Sequence, residues 1–481
     1  MISLLLSIVV LILGYFVYGR FVERVFGPDD RVTPAISKAD GGDYVVLPSW
    51  KVFMIQFLNI AGTGPIFGAI MGAKFGPAAY LWIVFGCIFA GATHDYLSGM
   101  LSLRNGGVGL PELIGKYLGK FSRQLMLVFS IFLLIMVGSV FVYSPAEILQ
   151  RLGGTSSMWI VIIFVYYVIA TMLPIDKLIG KIYPFFAFSI LFMAVGMLVM
   201  LLIKMPVVPE LWDGLGNMAL SHDNSELFPA LFITIACGAI SGFHATQSPL
   251  MARCMKSEHL GRPVFYGSMI TEGFVALIWA TVSSWFFYGS PTPGYELLGV
   301  ETGYQTSAPS VVFQVCSSWL GVVGGILALI GVVAAPITSG DTAFRSARLI
   351  VADFLHLSQT AIRQRLMVSA PLFAMAILML FWQIDNPNGF NVIWQYFGWA
   401  NQTLSVFTLW MLTMWLSRKR GFYYIVTLIP AMFMTMVCTT FIFVSKQSLH
   451  LDYTLGCLLG AFLTLGLTLL FFVARRKVTK E

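Results

Sequence analysis

Between Val52 and Ala73 the chain is apolar over about the length needed to cross a hydrocarbon core as helix, and the run is interrupted at its middle. The centre reads Asn59-Ile60-Ala61-Gly62-Thr63-Gly64-Pro65-Ile66-Phe67-Gly68. Proline lacks an amide donor and clashes with the carbonyl four residues back, and a glycine costs helix about 1 kcal/mol against alanine. The run therefore predicts two half-helices. Non-helical backbone at membrane depth survives only inside protein or against a cavity, so the break predicts a site. The amides of Gly62, Thr63 and Gly64 would head the second half-helix and favour an anion, while the last carbonyls of the first half, near Ala61, favour a cation. A proline-kinked helix with glycines for close packing is the alternative reading.

A second interruption, Cys237-Gly238-Ala239-Ile240-Ser241-Gly242-Phe243-His244, lies near the centre of the run from Phe228 to Met251. Paired interrupted helices at corresponding positions of two halves point to a transporter site.

Composition agrees with a polytopic membrane protein: 58% of residues are hydrophobic and 11% charged. Apolar runs near 2–19, 52–73, 77–102, 124–143, 157–173, 183–203, 228–251, 264–288, 309–335, 366–383, 390–416, 421–445 and 451–474 predict an all-α chain of about thirteen membrane helices. No basic residue precedes the first run, and Arg20 and Arg24 follow it, as in a reverse anchor rather than a cleaved signal. With the N-terminus outside and the C-terminus cytoplasmic, 25 of the 29 lysines and arginines fall on the inner side. The net charge of +7 is thus a topology signal and carries no implication of nucleic acid. The partners expected are the lipid bilayer and a small-molecule substrate. The six cysteines have neither zinc nor redox spacing and read as packing residues.

The interrupted spans are five apart and enter the membrane from opposite sides, which predicts a five-plus-five inverted repeat. Its core would cover 51–416, with halves 51–203 and 228–416, one helix before it (1–20) and two after it (421–474). Ionisable residues in spans are functional candidates by default. His94 and Asp95 read as a gate, a proton-coupling pair or a packing hydrogen bond; His244 as a carboxylate-binding or proton-carrying imidazole or a structural histidine; Glu272 as a proton carrier or a salt-bridged anchor. The ninth run is expected to end at Ala334-Ala335-Pro336, placing the hydroxyls of Thr338 and Ser339 beside a proline break. With carbonyls near Ala61 they would make a sodium site, while Asp341 is either a gating group or an anchor for arginines at the surface. Asn401 and Gln402 would hydrogen-bond substrate or another helix.

At these residues the sequence resembles the carbon starvation protein A (CstA) family of bacterial and archaeal transporters. The matching pieces are Arg31-Val32-Thr33-Pro34-Ala35, Ile60-Ala61-Gly62-Thr63-Gly64-Pro65, Ala90-Gly91-Ala92-Thr93-His94-Asp95-Tyr96, Leu231 to His244, Thr338 to Arg348, and Phe397-Gly398-Trp399-Ala400-Asn401-Gln402. The resemblance implies a LeuT-type fold of the amino acid/polyamine/organocation superfamily. It also implies ion-coupled secondary uptake of small peptides or pyruvate-like carboxylates across the inner membrane.

On this reading the carboxylate sits against the amides of Gly62 to Gly64 and of Ser241 and Gly242, with His244, Asn401 and Gln402 adding side-chain contacts. No cofactor is expected beyond the possible sodium ion. A channel or nutrient sensor on the same scaffold is one rival. A membrane enzyme using His94 and Asp95 is another, although no nucleophile motif accompanies them.

Overall fold

The computed structural model describes the chain apart from residues 41–42, 173–174, 220–224, 302, 304–305, 360, 387–388, 447 and 479–481, and apart from the side chains of 175–182, 323, 391 and 477–478. Among the described residues the regular structure is helical. In lipid a single-chain element must satisfy its backbone internally, and a long apolar sequence does so by coiling. Among the described residues nine helices are long and apolar enough to cross a membrane, and ten if the bent pair Ser49–Ala61 and Gly64–Phe75 is one span. The other expected spans correspond to the shorter Ser156–Met172, the pair Leu227–Thr234 and Gly242–Ala252, and Gly389–Lys419.

Burial separates a centre from a periphery. Of the most apolar window in Glu258–Tyr288, 89% is buried, against 22% in Tyr453–Arg476. The first helix, Ile2–Phe26, likewise turns Leu5, Leu6, Val9 and Leu13 outward. These outer helices supply lipid-facing surface, and the two interrupted pairs lie inside.

The two faces of the bundle are tied differently. On one, the Met1 amino group bonds Glu210, and Met218 N donates to Lys74 O at 2.6 Å. On the other, Arg104 holds Glu258 with two charge-assisted bonds of 2.7 and 2.9 Å, and Arg262 bonds Glu23 at 2.7 Å. This joins the ends of Ile2–Phe26, Ala78–Arg104 and Glu258–Tyr288 on that face. The chain's N-terminus thus shares a face with Lys74; the side chains of Lys177, Lys181, Lys477 and Lys480 lie outside the described residues.

The ninth run differs from expectation. Helix Ala308–Phe354 is non-helical at Gly321 (φ 65°, ψ −171°), and its membrane-crossing part is Gly324–Phe354. Pro336 lies within this helix and does not end it. The apolar pattern of 309–335 merged a preceding arm with the first half of the span. Thr338, Ser339 and Asp341 therefore sit mid-helix and fully buried, and Asp341 is not at the surface.

Helix Ala308–Phe354 crosses Ile175–Lys204 closely at Gly331, where an added Cβ would fall 2.8 Å from Ser189 C and 2.9 Å from Ile190 N. Backbone cannot yield as a side-chain tip can. Gly331→Leu should lower the thermal unfolding midpoint of the purified protein, at a cost of about 1–3 kcal/mol or more. Gly466→Leu, whose Cβ meets nothing within 4 Å, should leave it unchanged; equal midpoints for the two variants would contradict this crossing.

Candidate functional site at the two helix breaks

The first break is set by Gly62, whose φ of 48° and ψ of −139° only glycine adopts readily, and the chain then turns by 46° into the π turn Gly64–Gly68. Every residue from Ile55 to Ile70 is buried. Several polar atoms here have no hydrogen-bond partner: Gln56 Oε1, both side-chain atoms of Asn59, and Thr63 Oγ. Gln56, Asn59 and Thr63 are spaced by three and four residues, a helical face continued across the break. Each buried unsatisfied group costs about 1–3 kcal/mol, a cost that a bound polar partner would offset.

Beside it stands Ser339. Its hydroxyl lies 3.1 Å from Leu58 O and 3.2 Å from Asn59 O. One hydroxyl proton serves one carbonyl well at a time, so spare lone pairs converge. Thr338 points elsewhere, bonding Ala334 O and Ala335 O of its own helix, both at 2.9 Å. Asp341 accepts from Tyr183 OH at 2.6 Å, and that tyrosine oxygen is also 3.2 Å from Thr338 O.

At the second break, residues 235–241 leave helical geometry between Leu227–Thr234 and Gly242–Ala252. Its backbone groups are answered by the chain itself. Trp82 Nε1 donates to Ile235 O at 2.7 Å and Gln402 Nε2 to Phe232 O at 2.9 Å. The amide of Gly238 donates to Glu272 Oε1 at 3.1 Å, and that of Phe243 to Asn401 Oδ1 at 2.7 Å. Asn401 and Gln402 thus hold the break and Glu272 answers one of its amides. The two breaks touch: a Cβ on Gly64 would lie 2.3 Å from Cys237 Sγ; helix Ala78–Arg104 also abuts the second break, since a Cβ on Gly91 would lie 2.2 Å from Ala239 O.

Asp95 joins this centre. One carboxylate oxygen is 2.7 Å from His94 Nδ1 and the other 2.7 Å from His244 Nδ1. His244 Nε2 is 3.4 Å from Glu272 Oε2, and all four side chains are fully buried. The helix Ala78–Arg104 carries a π turn, Gly86–Gly91, just before His94, and a second, Arg262–Tyr266, precedes Glu272; such turns are frequent at functional sites. Cys237 completes the cluster, its sulfur within 4.8 Å of ligand atoms of His244 and Glu272. The sequence assigns the cysteines a packing role and does not connect Cys237 with these two side chains. Nothing in linear spacing links a cysteine in one break to a glutamate on the next helix.

A cavity of about 790 Å³ opens on the face carrying Lys74, Glu226 and Asp452, and descends past Met71 and Trp394 to Thr234. Thr234 is the last helical residue before the second break, so the cavity borders that break.

The model of the carbon starvation protein CstA family matches residues 1–153, 144–290 and 305–441. The chain belongs to the CstA family. Among similar CstA-family and other membrane proteins, an uncharacterized membrane protein of Haemophilus influenzae is 44% identical over 58% of this chain and 90% of its own. The peptide transporter CstA of Escherichia coli is 25% identical over 90% of this chain and 79% of its own. The pyruvate/proton symporter BtsT of Escherichia coli is 26% identical over 55% of this chain and 47% of its own. In fold, a Na+-coupled sialic acid symporter matches with TM-score 0.54 and 14% identity over 95% of each chain. A manganese transporter of Eremococcus coleocola matches with TM-score 0.56 and 13% identity over 91% of this chain and 99% of its own. The CstA-family chain is therefore an all-helical membrane protein of LeuT-like fold, as its paired breaks predict.

Asn401→Ala removes the acceptor shared by Phe243 N and Ser241 Oγ. It should destabilise the protein by about 1–3 kcal/mol and speed hydrogen exchange at the Phe243 amide. Unchanged exchange there would contradict the role of Asn401 in holding the break.

Proposed function

We propose that this CstA-family chain takes up a small carboxylate-bearing nutrient, a short peptide or a pyruvate-like acid, by ion-coupled alternating access across the inner membrane. The transport core is 51–416, with halves 51–203 and 228–416; 1–20 and 421–474 flank it, and the N-terminus is outside. The observation that carries this reading is the meeting of two backbone breaks at a buried centre where Asn59 and Thr63 lack partners. Relatives named as a peptide transporter and a pyruvate/proton symporter support the substrate class. Both substrates carry a carboxylate, which suits the amides of Gly62 to Gly64 and the Thr63 hydroxyl. Ser241, Gly242, Asn401 and Gln402 then act by shaping the second break, and His244 by its place in the buried chain to Asp95 and Glu272.

Sodium is the coupling ion on this proposal. The orphaned oxygens of Asn59 and Thr63, the carbonyls of Leu58 and Asn59, and Ser339 Oγ form a neutral donor set that fits a monovalent cation; the carbonyl of Ala61, at the end of the half-helix, belongs to the same expected shell. Thr338 supports Ser339 from its own helix. Proton coupling is the second reading, favoured by the contacts of Asp95, His244 and Glu272, with His94 beside them and Asp341 on the neighbouring element.

Uptake into proteoliposomes under sodium and proton gradients imposed separately tests this. Accumulation above the external concentration under a sodium gradient is expected, and mere equilibration would favour a channel. Ser339→Ala should raise the sodium concentration for half-maximal uptake about tenfold, equivalent to about 1.4 kcal/mol, with a smaller change for Thr338→Val. Full uptake without sodium that follows a pH gradient would overturn sodium coupling and transfer it to the titratable chain.

A further inference from the structure

The cluster of Cys237, His244 and Glu272 has the chemistry of a metal site. Its ligand atoms lie within 4.8 Å of one another, and all three side chains are buried. His244 Nε2 and Glu272 Oε2 each lack a hydrogen-bond partner although they are 3.4 Å apart. That separation matches the edge of a tetrahedron whose bonds are about 2.1–2.3 Å, which is about 3.4–3.8 Å long.

The surroundings orient the set. Asp95 accepts at His244 Nδ1, 2.7 Å away, so a neutral imidazole carries its proton there and leaves the Nε2 lone pair directed at the cluster. His94 Nδ1 bonds the other oxygen of Asp95 at 2.7 Å and fixes the carboxylate in turn. Glu272 is held by the Gly238 amide through Oε1, leaving Oε2 for a ligand. Cys237 Sγ accepts from Asn401 Nδ2 at 3.8 Å and, as a thiol, donates to Ser241 Oγ at 3.7 Å, a proton that metal binding would displace.

We propose that Cys237, His244 and Glu272 form a three-ligand site for a zinc-class divalent ion, with Asp95 as the positioning residue behind His244. Sulfur, imidazole and carboxylate together suit zinc or cobalt and disfavour calcium, magnesium or sodium. Three protein ligands leave a fourth position open. Two of the residues flank the second break and the third stands on Glu258–Tyr288, so the ion would pin the break to that helix. This site is distinct from the sodium set and does not rest on the transport reading.

The test uses full-length purified protein stripped with chelator, in a Cys457→Ser background, since Cys457 is the one partly exposed cysteine among the described residues. Zinc binding is measured by equilibrium dialysis with elemental analysis, and cobalt binding by absorption. One zinc per chain is expected, with affinity falling at least about tenfold in Cys237→Ser, in Glu272→Gln and, through orientation alone, in Asp95→Asn. Cys438→Ser, at a buried cysteine remote from the cluster, should bind as the parent does. Cobalt should show a thiolate charge-transfer band in the parent. Absence of stoichiometric zinc, or equal affinity in folded Cys237→Ser, overturns the site. If Cys237→Ser does not fold, the parent's cobalt spectrum decides: no thiolate band overturns it.

Discussion

A peptide group at membrane depth must find a hydrogen-bond partner inside the protein, and each interrupted helix here removes several from their helical partners. The architecture follows from how that deficit is met. At the second break the chain supplies the answers itself: Trp82, Gln402, Asn401 and Glu272 reach in from three neighbouring helices to bond its carbonyls and amides. At the first, Asn59 and Thr63 keep buried polar atoms without partners. The backbone of the second break is thus tied by its neighbours, while unpartnered side-chain atoms remain at both breaks: Asn59 and Thr63 at the first, His244 Nε2 and Glu272 Oε2 at the second.

This asymmetry divides the labour. The first half-helix faces Ser339, giving a neutral oxygen-rich corner. The second faces a titratable chain from His94 through Asp95 and His244 to Glu272, with contacts of 2.7 to 3.4 Å. The corners meet where Gly64 packs against Cys237. A larger residue at Gly64 would separate the breaks, so small residues there serve close approach as well as the turn.

The arrangement of spans and both breaks was legible because apolar length and proline or glycine punctuation are local signals. Gly62 and the Ser241–His244 stretch lie where the interruptions of the runs put them. Asn59, inside the quoted motif, attracted no reading of its own, since an amide on a helix reveals nothing of its partners until its neighbours are known. Pro336 misled because proline usually ends a helix, whereas here it continues through Gly324–Phe354 and the real irregularity is at Gly321. For Asp95 the sequence leaves gate, proton-coupling and packing roles open because its run gives depth but not rotation; only packing against Gly242–Ala252 brings His244 to it. Cys237 and Glu272 are on different helices, and no spacing rule connects them.

The central claim is that the two breaks close over a buried site which opens alternately to each face. Distances between paired spin labels test it most directly. One pair, Trp50→Cys with Phe121→Cys, spans the face of the Arg104–Glu258 bonds; the other, Lys74→Cys with Leu152→Cys, spans the face opposite. Adding coupling ion and substrate should shift the two distance distributions in opposite directions, one widening as the other narrows. Distributions that stay fixed on both faces while transport proceeds would contradict alternating access at these breaks.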